Sequence, residues 1–138
     1  MVGRVHFAAV LGVRPVAQPV FVGRKITKPW GWEFVWAECE HYVGKILHIE
    51  AGEALSYQFH EVKDETIYLL AGVLDLEWAE DENALRQRVR LVAGQSARIR
   101  PGMCHRLVAV ETCEVLEAST PQLDDVVRLE DRYGRERR

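Results

Sequence analysis

Gly52-Glu-Ala-Leu-Ser-Tyr-Gln-Phe-His-Glu-Val-Lys-Asp-Glu-Thr-Ile-Tyr-Leu-Leu-Ala-Gly72 is the run of sequence on which the fold turns. Leu55–Phe59 and Thr66–Leu70 are short and rich in aromatic and branched residues, with a polar turn at Val62–Asp64 between them. That pattern predicts two strands joined as a hairpin. Period-two alternation puts Ser56, Gln58 and His60 on one face of the first strand and Leu55, Tyr57 and Phe59 on the other. Glu65 opens the second strand and can meet Gln58 and His60 across the hairpin. A second stretch, Gly94-Gln-Ser-Ala-Arg-Ile-Arg-Pro-Gly-Met-Cys-His105, delivers another imidazole just after a Pro-Gly turn. Two imidazoles, a carboxylate and an amide oxygen form a mixed nitrogen and oxygen set suited to Zn²⁺, Mn²⁺, Fe²⁺, Co²⁺ or Ni²⁺. Open positions on such an ion polarise a substrate oxygen.

Outward from this core, Trp32–Trp36, Tyr42–Ile49, Val73–Trp78, Arg86–Val92, Ala97–Arg100, Arg106–Val110 and Glu114–Ala118 also read as strands, with Gly52, Gly72, Gly94 and Gly102 between them. Many short strands at such spacing predict an all-β sandwich or barrel. Residues 1–26 read as an arm or edge strand and 27–135 as the domain. Asp81–Leu85 reads as a polar turn. Pro121–Tyr133 reads as a turn or short helix with Val126, Val127 and Leu129 on one face.

The chain has 138 residues, 48% of them apolar and 28% charged, which fits one globular core and argues against disorder. A net charge of −3 gives no pull toward nucleic acid, and no apolar run has the length of a membrane helix. Cys39, Cys104 and Cys113 are too few and too widely spaced for a disulfide framework or a CxxC pair. With no cleavage pattern after Met1–Val13, a cytoplasmic protein is expected.

The combined spacing, Gly-x5-Gln-x-His-x4-Glu-x6-Gly followed by Gly-x7-Gly-x2-His, resembles the cupin superfamily, a small jelly-roll β-barrel also called a double-stranded β-helix. Gln58 stands where most cupins have a histidine, and Pro101 lies one place later than the usual proline. The glutamine form resembles phosphomannose isomerases, including the cupin domain of type II mannose-6-phosphate isomerase/mannose-1-phosphate guanylyltransferases. Lys28-Pro-Trp-Gly31, Leu55-Ser-Tyr-Gln-Phe-His60 and Asp124-Asp-Val-Val-Arg-Leu-Glu-Asp-Arg-Tyr-Gly-Arg135 agree with that resemblance. By position it implies Gln58, His60, Glu65 and His105 as metal ligands, and a metal-dependent aldose–ketose isomerase acting on a sugar phosphate. The alternatives are a non-catalytic sugar- or ligand-binding cupin and a metal-dependent oxygenase. The residues before 27 leave no room for a nucleotidyltransferase, so the isomerase-like part alone is expected. The ligand is then a small sugar or sugar phosphate, and the arm is available for strand exchange in a homodimer.

Two residues are candidate bases. Lys45 shares a strand face with Leu47 and Ile49, so it points into the barrel or snorkels at its rim. Glu117 shares a side with Val115 and is an acid/base if inward, a surface charge if outward. His48 and Glu50 then face outward. Lys63, in the hairpin turn, reads as solvated. Arg98, Arg100 and Arg106 bracket the second motif as candidate phosphate contacts. The four tryptophans read as packing, Cys104 as facing away from His105, and Arg132–Arg138 as a solvated tail.

Overall fold

Alternation between buried and more exposed side chains marks the central strands of this chain. In the computed structural model, which describes residues 18–136, the strands are β1 (Arg24–Lys28), β2 (Gly31–Glu38), β3 (Val43–Ile49), β4 (Tyr57–Phe59), β5 (Glu65–Ala71), β6 (Val73–Ala79), β7 (Gln87–Val92), β8 (Ser96–Ile99), β9 (Cys104–Ala109), β10 (Cys113–Ser119) and β11 (Val127–Glu130). They form two antiparallel sheets of order β1-β2-β3-β10-β5-β8 and β11-β4-β9-β6-β7. The ladders stay within each sheet, and the two sheets face one another as a jelly roll.

Between them lie Leu47, Ile49, Ile67, Leu69, Leu74, Leu76, Leu107 and Val115, all buried. Each such side chain contributes about 1.5–3 kcal/mol through removal from water. The same inward faces also carry Lys45 on β3, Glu65 on β5, and Glu117 and Ser119 on β10, all buried. Apolar filling gives way to polar groups there, and Glu65 and Glu117 line the space that becomes the site.

The two outer faces differ. Beyond β6, Asp75 is held by Arg88 and Arg90, and Glu77 by Arg106, so that face is closed by ion pairs. On the six-stranded sheet the half-exposed Trp36 ring lies on Gly44, where a Cβ would come within 2.6 Å of the indole. His48 also faces out, stacked on Trp32 and bonded to Glu114 and Glu50.

Of the turn or short helix expected within Pro121–Tyr133, the turn is present and strand β11 follows it in place of a helix. The three-residue β4 leaves an edge that needs backbone partners, and β11 supplies them with Val127 opposite Phe59 and Arg128 opposite Gln58. A helix this short has little stability of its own, so the ladder wins. β1 runs across the division drawn between residues 26 and 27 and forms the sheet edge beside β2. The arm expected to exchange strands lies, for residues 1–17, outside the described residues. No helix among the described residues is long and apolar enough to cross a membrane.

Gly72, between β5 and β6, has φ +96°, and a Cβ there would sit 2.3 Å from the Thr112 carbonyl oxygen. Gly72→Ala is therefore expected to cost about 2 kcal/mol or more, from positive φ and backbone clash together. Urea unfolding should show a lower midpoint at unchanged slope.

Candidate metal centre

Both sheets contribute donors to one spot. Gln58 on β4 and His105 on β9 are direct neighbours across the five-stranded sheet. Glu65, first residue of β5, comes from the facing sheet, and His60 follows β4 immediately. His60 Nε2 lies 3.5 Å and His105 Nε2 3.3 Å from the same Glu65 Oε1. All three residues are buried, and their donor atoms lie within 4.8 Å of one another.

The outer nitrogens decide what those donors are. His60 Nδ1 is 2.5 Å from the Asp125 carbonyl oxygen, and His105 Nδ1 is 3.1 Å from that of Met103. A carbonyl only accepts, so each Nδ1 carries a proton, and Nε2 is the nitrogen turned toward Glu65, with a lone pair to offer when the ring is neutral. Two neutral rings and a carboxylate oxygen converging away from water are suited to a cation among them, and a ring proton directed at Glu65 Oε1 fills the same place in the metal-free chain. His60 Nε2 has no hydrogen-bond partner among the described residues, as a ligand atom should. Gln58 lines the same cavity, and the Ser56 hydroxyl donates to its Oε1 at 2.5 Å. With the hydroxyl donating, the amide oxygen keeps a second lone pair. The set fits a divalent ion of the borderline type.

Behind it lies an ion network. Lys63 Nζ is 2.9 Å from Glu65 Oε2 and 3.3 Å from Glu117 Oε2. Burial works against the lysine's charge, but Glu117 and Glu65 outweigh it and hold its pKa above the ordinary value. Burial likewise opposes charge on Glu65, yet His105, His60 and Lys63 hold its carboxyl well below the usual range. For Glu117 burial wins: with the Glu65 charge beside it, its pKa is pushed up to about 7 despite Lys63 and Lys45. The environments thus separate two neighbouring carboxylates.

Several sequence-based placements change. Lys63, expected in solvent, is 4% exposed and sits at the centre of the network. Glu117 faces inward and lines the cavity. Lys45 is buried too, but it reaches Glu33 at 3.3 Å and is absent from the cavity wall. Arg98 pairs with Asp64, Arg100 approaches Glu80, and Arg106 bonds Glu77, all on outer surfaces away from the cavity. The arginines at the cavity are Arg128 and Arg135. Of the terminal cluster expected as a solvated tail, the exposed Arg132 donates to the Gly52 carbonyl and Arg135 is held by Asp131, while residues 137–138 lie outside the described residues. Cys104 does face away from His105, packed with Tyr57 and Ala79, and Trp30 is core while Trp36 is half exposed.

Glu33 and Asp125 were not singled out from the sequence. Glu33 shows a period-two signal, since it alternates with Phe34 and opposes Leu47. Asp125 lies in the terminal acidic block, whose role only the tertiary contact reveals. The cavity, of about 90 Å³, adjoins a polar cleft of about 610 Å³ across Lys28, Glu33, Val126 and Arg128.

Residues 45–119 match the family model described as Cupin domain. The chain is 31% identical over 118 residues to mannose-1-phosphate guanylyltransferase ManC of Salmonella typhimurium, covering 81% of this chain and 23% of that protein. It is 30% identical over 117 residues to xanthan biosynthesis protein XanB of Xanthomonas campestris pv. campestris, covering 81% and 24%. It thus spans about a quarter of the length of these relatives. In fold it is similar to the capsular polysaccharide assembling protein CapF of Staphylococcus aureus, with TM-score 0.70, 11% identity, and coverage of 85% of this chain and 37% of that one.

Proposed function

The chain belongs to the cupin domain family, and from that premise we propose that it is a metal-dependent aldose–ketose isomerase of a hexose phosphate. Mannose 6-phosphate and fructose 6-phosphate are the first pair to test. The observation that carries this reading is a buried His60–Glu65–His105 donor set in one cavity with a carboxylate, Glu117, whose pKa is about 7. An isomerase needs both an electrophile at the carbonyl and a base poised near neutral pH. The substrate class draws support from relatives whose names specify mannose 1-phosphate.

In this reading His60, Glu65, His105 and Gln58 hold a divalent ion, which supplies Lewis acidity toward the sugar's carbonyl and adjacent hydroxyl oxygens. Glu117 takes the proton from C2 and returns it to C1 through an enediol, while the O2 hydroxyl proton passes to O1. Lys63 holds that carboxylate in place and stabilises its charged form. Lys28, Arg128 and Arg135, at the cavity and its junction with the cleft, receive the phosphate. Burial of His60, Glu65, His105 and Glu117 keeps water from the enediol.

One observation favours a second reading, a sugar-binding cupin without catalysis. Lys63 bridges Glu65 and Glu117, and an ion-paired carboxylate is a weaker base. Solvent deuterium exchange at C2 of mannose 6-phosphate, followed by NMR with Mn²⁺, Zn²⁺ or Co²⁺ added, separates the two. Exchange is expected, rising from pH 6 to pH 8 with a midpoint near the Glu117 value of about 7, because the base acts unprotonated. Glu117→Gln should remove both the rate and the midpoint. Sugar binding with no exchange at any pH would leave the binding protein as the answer.

A further inference from the structure

The isomerase reading leaves one arrangement unused. Asp125, just before β11, bonds four consecutive residues of the turn between β4 and β5. Its Oδ1 accepts the Glu61 N–H at 2.9 Å, and its Oδ2 accepts the N–H groups of Val62 and Lys63 at 2.8 Å each. Its main-chain carbonyl accepts the His60 Nδ1 proton at 2.5 Å. The adjacent Asp64 N–H donates to Thr120 Oγ1 at 3.0 Å, so the segment is pinned at both ends of the turn. Three successive amides gathered on one carboxylate form an anion-holding nest, here filled from within the chain.

What this turn carries explains why the clamp matters. Its first residue is the candidate ligand His60, and its fourth is Lys63, the cation shared by Glu65 and Glu117. Without the clamp nothing described fixes the His60 ring with Nε2 inward, since its other nitrogen is oriented by Asp125 alone. We propose that Asp125 is the positioning residue of the metal centre. Its carboxylate sets the backbone of residues 61–63, its carbonyl sets the tautomer and direction of His60, and docking of the C-terminal segment is thereby coupled to ion binding. The coupling is reciprocal: an ion bound at His60 also holds the segment in place. This rests on the metal-centre reading, but not on isomerase activity.

The test uses the full chain with Zn²⁺ or Mn²⁺ titrated calorimetrically, and ¹⁵N NMR of the histidine rings with and without ion. Asp125→Ala is expected to weaken ion binding about 10–100-fold, the range found when partners that orient ligands are removed. Asp125→Asn, which keeps an oxygen acceptor for part of the turn, should fall between it and wild type, and it serves if the alanine variant does not fold. In the metal-free chain His60 should be Nδ1-protonated in wild type and a tautomer mixture in the variants, while His105, oriented by Met103, stays Nδ1-protonated in both. Unchanged affinity, or His60 and His105 changing alike, overturns the role of Asp125. Wild type that binds neither ion, with the His60 tautomer still dependent on Asp125, removes the metal centre and leaves the positioning intact.

Discussion

Glu65→Gln is expected to reduce ion binding by at least about 100-fold and to remove C2 exchange with it. The change is nearly isosteric, so packing around a buried site is kept. Its electrostatic effect is large for two reasons. Glu65 Oε1 is the atom both imidazole Nε2 groups face, at 3.5 and 3.3 Å, and it is the anionic donor among His60, Glu65 and His105. Replacing it with an amide leaves two neutral lone pairs and a neutral oxygen to neutralise a divalent charge away from water. In addition Glu65 Oε2 is one of the two partners of Lys63, so the lysine is left with Glu117 only. Metal content after purification and calorimetric titration with Zn²⁺ and Mn²⁺ both read the effect. A Glu65→Gln protein that retains stoichiometric ion with affinity within about threefold of wild type would show that the donors converge for another reason. His105→Ala provides a companion, because it removes a donor without touching Lys63.

Much of this centre was legible in the sequence, and the reason is local. Gln58, His60 and Glu65 lie within eight residues of one another, but the hairpin expected there does not form: β4 and β5 belong to facing sheets, and the short turn between them crosses from one sheet to the other and brings the three side chains together. His105 follows a Pro-Gly turn and lies on the strand that pairs with β4, directly opposite Gln58. The parts that escaped reading depend on residues far apart in the chain. Lys63 looked solvated because it occupies a turn; it is buried because the segment around Asp125, some sixty positions later, folds over that turn. Parity suggested that Lys45 could enter the barrel, and it does, but its choice of Glu33 rather than the cavity depends on a neighbouring strand. β11 misled for a related reason: three apolar residues in five suit a helix face, and only the open edge of the three-residue β4 makes a strand the better solution.

Lys63→Met should destabilise the fold by about 3–5 kcal/mol at pH 7, the cost of removing one partner from a buried ion pair. The wild-type network already has a pH signature. Glu117, with a pKa of about 7 against an ordinary 4.5, holds a proton in the folded chain that the unfolded chain has released. The folded state therefore binds more protons between those values, and stability falls as pH rises from about 4.5 through about 7. The full displacement corresponds to about 3 kcal/mol. Glu65 has the opposite sign: its depressed pKa adds stability that is present above the ordinary carboxylate range and lost as pH falls below it. Removal of Lys63 takes away a positive charge that lowers the Glu117 pKa, so the declining limb should extend above pH 8 in the variant. His48, raised chiefly by its bond to Glu114, titrates on the outer face in both proteins alike, so the comparison between them isolates the network. Urea unfolding in chelator at pH 5, 7 and 9 measures this directly. The variant should lie closest to wild type at pH 5, where Glu117 is protonated in both folded proteins, and diverge as the buried carboxylate is forced to ionise without its lysine. Adding Glu117→Gln to Lys63→Met should restore part of the loss at pH 9. A loss below about 1 kcal/mol at pH 7, or a gap between the two proteins that does not grow with pH, would mean that Lys63 does not hold the two carboxylates together.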